Sequence, residues 1–185
     1  EYVFSSGNSI VYISVSALSS TKFVVAYGYG TASGKSIIGE ISGTVISYSS
    51  EYEFNSTNTN YISVSALSST RFVVAYRDEG SSDYGCSRIG SVDKTTISYD
   101  TEQVFNFAST KYISVSVLSS TEFVIAYQDD GGSDYGCVKI GDINSNFSNW
   151  TLYYTIGKQI GNTSLSGWHK LAQNNSEKDN QTSLD

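Results

Sequence analysis

Apolar and polar residues alternate near the start of the chain. In YISVSAL (residues 12–18), Ile13, Val15 and Ala17 fall on one side, and the two serines between them fall on the other. A period of two predicts a β-strand with one buried face. After the turn residues LSST, the segment KFVVAY is apolar on both sides, which predicts a mid-sheet strand covered on both faces.

Two further strands follow this pair. In the second copy of the pattern, a Gly/Asp/Ser loop (RDEGSSDYG) precedes a third predicted strand, CSRIGSV, and a fourth, TTISYDTEQVF. Four short antiparallel strands in about fifty residues are typical of one propeller blade. We therefore predict an all-β fold of propeller-like blades with four antiparallel strands each. The alternative is a stacked β-repeat array of another geometry.

The pattern occurs three times. Tyr12, Tyr61 and Tyr112 are 49 and 51 residues apart, and a fixed period of this kind indicates tandem structural repeats. A four-stranded sheet cannot bury two apolar faces alone, so each repeat is expected to stack on the next. The predicted organisation is the end of a preceding strand at 1–4, repeats at 5–54, 55–105 and 106–161, and a degenerate cap with a polar tail at 162–185.

Three blades do not close a ring, because propellers typically have four to eight. Other copies of the repeat, or self-association, are therefore the expected partners. The first residues, EYVFSSGNSI, have neither a basic nor an apolar leader region, so we expect no signal peptide and a mature product or a segment of a longer protein. No apolar run approaches the roughly 18 residues of a membrane-spanning helix.

The composition of the chain excludes some classes of binding partner. The chain contains no Pro, which suits a chain that is mostly sheet. Its net charge is −7, without a basic run. Phosphate binding needs clustered Lys and Arg, so neither nucleic acid nor an anionic membrane is an expected partner. Glycans remain as a second class of partner beside the repeat itself.

The segments YISVSALSSTRFVVAYRDEGSSDYGC and IGSVDKTTISYDTEQVFN resemble tandem repeats of environmental bacterial and phage surface proteins. The resemblance covers roughly residues 1–143 and implies a propeller-like extracellular array, without any catalytic residue. The first copy departs from it, because GYGTASGKS replaces the loop that carries aspartates.

Two equivalent Gly-rich loops carry acidic residues, which are Asp78 and Asp83 in the second copy and Asp129 and Asp134 in the third. Several oxygens in a flexible loop suit Ca²⁺, so a weak calcium site is one interpretation. The spacing is not that of an EF-hand, and Asp, Ser and Gly are also ordinary turn residues. No other metal or cofactor is predicted.

Tyr84 and Tyr135 follow these loops. An aromatic face beside polar groups is what a sugar site needs, so the two tyrosines and the four aspartates are candidate sugar-binding residues. The other interpretation is packing, because Tyr is common in strands and recurs here at equivalent positions.

The remaining reactive residues give little support for catalysis. Cys86 and Cys137 are at equivalent positions, and we expect no bond between them, because a disulfide needs Cα atoms within about 7 Å. His169 is the only histidine and no nucleophile motif accompanies it. The acids recur rather than form one singular pair of the glycosidase type. We predict no catalytic residue and no enzyme.

Six Asn-X-Ser/Thr sequons are present, at Asn55, Asn146, Asn149, Asn162, Asn174 and Asn180. They indicate either a glycosylated extracellular protein or merely a polar terminus. Trp150 and Trp168 are the only tryptophans, and NWTLYYTIGKQIG resembles TTISYDTEQVFN with one residue inserted. We expect this segment to be a strand of the third blade and LSGWHKL to pack as a cap.

Two functions remain after this reasoning. The first is a non-catalytic structural or adhesive β-repeat module, extracellular or at the cell surface, as a glycosylated unit of a surface fibre. The alternative is a lectin-like, carbohydrate-binding propeller with one weak site in each blade.

Overall fold

A computed structural model of the chain describes residues 1–6, 9–131 and 134–143, together with two short strands at 153–154 and 169–170. The described residues are mostly β-strands in antiparallel sheets, without an α-helix. In this part of the chain, no helix is long and apolar enough to cross a membrane. The predicted all-β, antiparallel class is confirmed.

Each repeat forms one sheet. Sheet 1 contains β1 (Ile10–Ala17), β2 (Lys22–Tyr29), β3 (Ser33–Ser42), β4 (Val45–Tyr48) and β5 (Tyr52–Asn55). Sheet 2 contains β6 (Thr59–Ser68), β7 (Arg71–Asp78), β8 (Tyr84–Asp93), β9 (Thr96–Tyr99) and β10 (Gln103–Asn106), with a 3-10 helix at Glu79–Ser81. Sheet 3 contains β11 (Thr110–Val117), β12 (Glu122–Asp129), β13 (Tyr135–Asp142), β14 (Tyr153–Tyr154) and β15 (His169–Lys170).

The fourth strand differs from the prediction, because it is two short strands. In sheet 2, β9 and β10 both pair with β8, one after the other. Between β9 and β10, Glu102 accepts a hydrogen bond of 2.5 Å from the hydroxyl of the buried Tyr76. At the equivalent break between β4 and β5 of sheet 1, Glu51 accepts one of 2.7 Å from Tyr27. In both sheets the strand is therefore interrupted where a glutamate binds a tyrosine of the second strand.

The three sheets stack in sequence order around two apolar cores. The first core lies between sheets 1 and 2 and includes Val24, Ala26, Ile38, Phe72, Val74 and Tyr76. The second lies between sheets 2 and 3 and includes Val73, Ala75, Ile89, Phe123, Ile125 and Tyr127. Strand β7 supplies alternate residues to both cores, which confirms the predicted apolar pattern on both faces of the second strand.

The first strands of the three repeats lie beside one another, with β6 between β1 and β11. Serine hydroxyls join them to backbone N–H groups at 3.0 Å, in the pairs Ser14–Val64, Ser16–Ala66 and Ser63–Val115. An edge strand leaves a row of N–H groups unpaired. The serines of one repeat satisfy these groups in the next, which accounts for the repeated SVS sequence.

Segment 149–161 is described only at Tyr153–Tyr154, which pairs with β13. His169–Lys170 then pairs with β14. The predicted strand in repeat three is therefore described over two residues. Trp150, Trp168 and the rest of the predicted cap lie outside the described residues.

Candidate functional site

One end of the stack carries both the acidic loops and a ladder of tyrosines. The rings of Tyr12 and Tyr61 are 5.3 Å apart, and those of Tyr61 and Tyr112 are 5.5 Å apart. All three residues have positive φ angles of 50–51° and lie at a register irregularity of the first strand. Such a φ is uncommon for a bulky residue. The rings are tilted or edge-to-face, a packing arrangement rather than one flat platform.

In the second repeat, Asp78 is turned into the protein and is only 4% exposed. Its carboxylate accepts hydrogen bonds from the Asn55 amide at 3.1 Å, from the Gly80 N–H at 2.9 Å, and from the Thr57 hydroxyl. Burial raises the pKa of Asp78, but the bonds from Thr57, Ser81, Asn55 and Gly80 outweigh it, so the pKa lies below its usual value. These bonds cap the loop, which supports the turn interpretation of Asp78.

Arg77 organises the outer part of the same loop. Its guanidinium lies 5.0 Å from the centre of the Tyr61 ring, 2.5 Å from Glu79 and 3.5 Å from Asp83. Such a cation over an aromatic face is attractive. Asn60 also donates to Glu79. The charged side chains of this loop therefore form ion pairs with one another.

The third repeat keeps the arrangement with different partners. Asp129 accepts hydrogen bonds from the Asn106 amide at 3.3 Å and the Gly131 N–H at 3.1 Å. Lys111 lies 2.5 Å from Asp130 and lowers the pKa of that carboxyl. Asp134 is exposed and accepts a bond of 3.3 Å from the Gln128 amide.

The first repeat lacks the acidic loop, as the sequence showed. Tyr29 stands where the other repeats have Asp78 and Asp129. The ammonium of Lys35 lies 3.8 Å from the centre of the Tyr29 ring and 2.8 Å from Glu51. This repeat therefore uses a lysine and a ring where the others use an aspartate.

A group that sequence reasoning missed lies between sheets 1 and 2. The potential metal-ligating atoms of Asp78, Cys86 and Glu102 all lie within 4.8 Å of one another. This set has the composition to hold a metal ion. Burial first, and then the charges of Glu102 and Asp78, raise the pKa of the Cys86 thiol well above its usual value. The thiol is therefore protonated at neutral pH in this arrangement. It also lies close enough to Glu102 to form a hydrogen bond with that carboxylate.

The candidate sugar contacts do not form one cluster with equal access. The Tyr84 ring is half-buried and packs edge-to-face on Phe107 at 5.7 Å, whereas Tyr135 is 57% exposed. Asp83 and Asp134 border the surface, while Asp78 is buried. The exposed part of the candidate set is therefore Tyr135 with Asp134. Cys86 and Cys137 are both free thiols.

The sequon at Asn55 lies in a buried position. Its amide donates hydrogen bonds to Thr57 at 3.1 Å, Thr59 at 3.0 Å and Asp78 at 3.1 Å. A glycan on this nitrogen would have to displace those bonds. The sequons at Asn146, Asn149, Asn162, Asn174 and Asn180 lie outside the described residues.

Comparison with known proteins gives no relative to set beside this geometry. No protein-family model matches the chain, and no significant match is found to a curated protein or to a solved structure.

Proposed function

We propose that the chain is a non-catalytic, extracellular structural module built from propeller-like blades, one for each repeat. Its role is to build a surface array, as a unit of a fibre or an adhesive layer. The observation that carries the proposal is that equivalent residues of successive repeats make the same contact with the next sheet, as Ser14 and Ser63 do through their hydroxyls and Phe54 and Phe105 through their rings.

The interface between sheets supports this role. Ser14 and Ser63 occupy equivalent positions, and each accepts an N–H from the next first strand at 3.0 Å. Phe54 lies against Tyr76 with ring centres 5.0 Å apart, and the equivalent pair Phe105 and Tyr127 is 5.1 Å apart. Repeats that each contact their neighbours are how solenoid and propeller arrays gain stability.

The loop end supports a structural role in a second way. A ligand site repeated in every blade would need the same side chains in every loop, but the first loop has Tyr29 in place of an aspartate. The carboxylates of Asp78 and Glu79 bind groups of their own repeat. The surface location rests on the acidic composition and on the sequons.

A lectin-like function is the second candidate, and the exposed Tyr135 beside Asp134 favours it. An exposed ring next to a carboxylate offers a stacking face and a hydrogen-bond acceptor to a sugar. Asp134 is also a candidate ligand of a weak calcium site in its own loop, and Asp83 is the equivalent candidate in the second repeat. Asp129 and Asp78 contribute less to either, because both bind their own loops.

A glycan array separates the two functions. The structural proposal predicts no glycan signal that depends on the loop tyrosines. The test compares the unmodified chain with the double variant Tyr84→Ala/Tyr135→Ala, with and without Ca²⁺. Tyr84→Phe/Tyr135→Phe is the matched control, because it keeps the rings. Glycan binding that the Ala pair abolishes and the Phe pair retains would contradict the structural proposal in favour of the lectin.

A further inference from the structure

The two end faces of the stack expose residues that are buried inside it. On sheet 1, Val15 is 62% exposed, whereas its counterpart Val64 is 6% exposed against sheet 1. On sheet 3, Leu118 is 60% exposed, whereas its counterpart Leu67 is 6% exposed against sheet 3. We name these the upstream face (the Val15 side of sheet 1) and the downstream face (the Leu118 side of sheet 3). They are the two halves of the interface that recurs inside the chain.

The polar groups of the two faces also match. Inside the stack, the Ser63 hydroxyl accepts the N–H of Val115 at 3.0 Å. The next serine in this series is Ser114, which is exposed on β11. The next N–H is that of Val15, on the exposed edge strand β1. An unpaired strand edge is a template for another strand. A second copy in the same register would therefore place its Val15 N–H against the Ser114 hydroxyl of the first.

Residues 1–6 supply a third match. Their sequence, EYVFSS, corresponds to EYEFNS at 51–56 and EQVFNF at 102–107. The latter two segments contain β5 and β10, each of which pairs with the third strand of its own sheet. Residues 1–6 form no strand within the described chain. They have the sequence of a last strand, and none of the described strands pairs with them.

Sheet 3 has a position that matches this segment. A Cβ placed on Gly34 or Gly85 would lie 2.4 Å from a phenylalanine ring atom, whereas one on Gly136 would have no atom of the described residues within 4 Å. Gly136 is the counterpart of Gly85. In the chain's own continuation, the sequence QIGN has Gly161 where QVFN has Phe105. This segment therefore lacks the phenylalanine that covers Gly85, and Phe4 is the ring at the corresponding position of residues 1–6.

We propose that chains associate head to tail, with the upstream face of a second copy on the downstream face of the first. Residues 2–5 of the second copy pair with β13 at Gly136–Val138 and place Phe4 over Gly136. Adding a strand to an exposed sheet edge is an established mode of recognition. The inference rests on the proposed structural function, since it extends the same stacking between chains. Two chains joined at both junctions form a ring of six blades, and an open series forms a fibre.

Complementation between charged variants tests the two faces. Light scattering on the full chain is expected to show association that Val15→Asp and Leu118→Asp each reduce to monomer, while Ser20→Asp, in an exposed turn, leaves it unchanged. An equimolar mixture of the first two variants is expected to form one-to-one dimers, because one intact junction remains. A monomeric unmodified chain, a mixture that stays monomeric, or an effect of only one face would overturn the proposal.

Disulfide trapping tests the register. Lys35 lies opposite Glu53 and Cys86 lies opposite Val104, so the native Cys137 is expected opposite Val3 of the second copy. Directly opposed strand residues are close enough for a disulfide. Under mild oxidation, Val3→Cys is expected to give covalent dimers at least ~10-fold faster than Tyr2→Cys, which faces the other side of the strand.

The double variant Val3→Cys/Cys137→Ser is the control and is expected to give none of this product. Circular dichroism confirms that every variant is folded, as expected from the exposure of Val3. Equal trapping of Val3→Cys and Tyr2→Cys would overturn the proposed register. A monomeric chain that binds no glycan would overturn head-to-tail association and leave the structural function standing. Glycan binding that Tyr84→Ala/Tyr135→Ala abolishes and the Phe pair retains would overturn the structural function alone.

Discussion

Gly85→Ala is expected to lower the free energy of unfolding by about 1–3 kcal/mol, the cost of overpacking a well-filled core. A Cβ at this position would lie 2.4 Å from Cε2 and 2.6 Å from Cζ of Phe105. The ring is 1% exposed and is held against Tyr127, with ring centres 5.1 Å apart. It cannot withdraw without opening the core between sheets 2 and 3.

The matched control for this change is Gly136→Ala, at the same position of the third repeat. Within the part of the chain that the structure describes, no atom lies within 4 Å of its added methyl. Its stability is expected to stay the same or to rise by about 0.4–1 kcal/mol, because alanine restricts the unfolded chain. Urea unfolding of dilute, monomeric protein measures both variants. Equal losses at the two positions would contradict the assigned contact between Gly85 and Phe105.

Thr57→Ala is expected to cost about 1.5–3 kcal/mol at pH 7, the usual contribution of a hydrogen bond to a charged group. The Thr57 hydroxyl donates to the buried carboxylate of Asp78. The third repeat has Ala108 at this position, so the fold itself tolerates alanine there. Thr57→Ser keeps the hydroxyl and is expected to lose much less. Protein without glycans is used, since Thr57 completes the Asn55 sequon.

The cost of Thr57→Ala is expected to depend on pH. The pKa of Asp78 is lowered in the folded chain, relative to about 3.9 in the unfolded chain. The stability it contributes is therefore complete above the unfolded pKa and is lost as the pH falls through the folded pKa. Removing the Thr57 donor raises the folded pKa, so the variant should unfold at a higher pH during acid titration. A cost that is equal at pH 7 and at strongly acidic pH would contradict this assignment.

Three of the four strands in each repeat could be predicted from the sequence. Their signals are local, because an alternation such as Ile62 and Val64 marks an apolar face. That face is buried in repeat two, whereas the equivalent Ile13 and Val15 are exposed at the end of the stack. The break in the fourth strand could not be predicted, because it depends on Glu102 reaching Tyr76, 26 residues away in sequence. The hydrogen-bond partners of the serines could not be predicted either. Ser14 bonds to Val64, 50 residues later, a contact that exists only once the sheets have stacked.

The candidate site was predicted less well than the fold. Acidic turn residues look alike whether their carboxylates point outward or inward, so Asp78 and Asp83 could not be told apart before burial was known. The proximity of Cys86 to Glu102 depends on the pairing of β8 with β10. One signal was available, since Glu51 and Glu102 are at equivalent positions just before the last strand.

Amide hydrogen exchange of the dilute, unmodified chain tests the central claim, that the repeats stack through their first strands. The N–H groups of Val64 and Val115 bond to serine hydroxyls of the preceding repeat, whereas that of Val15 lies on the exposed edge of sheet 1. Exchange reports how often such bonds open. The account predicts strong protection at Val64 and Val115 and fast exchange at Val15. Exchange at Val64 and Val115 as fast as at Val15 would contradict it.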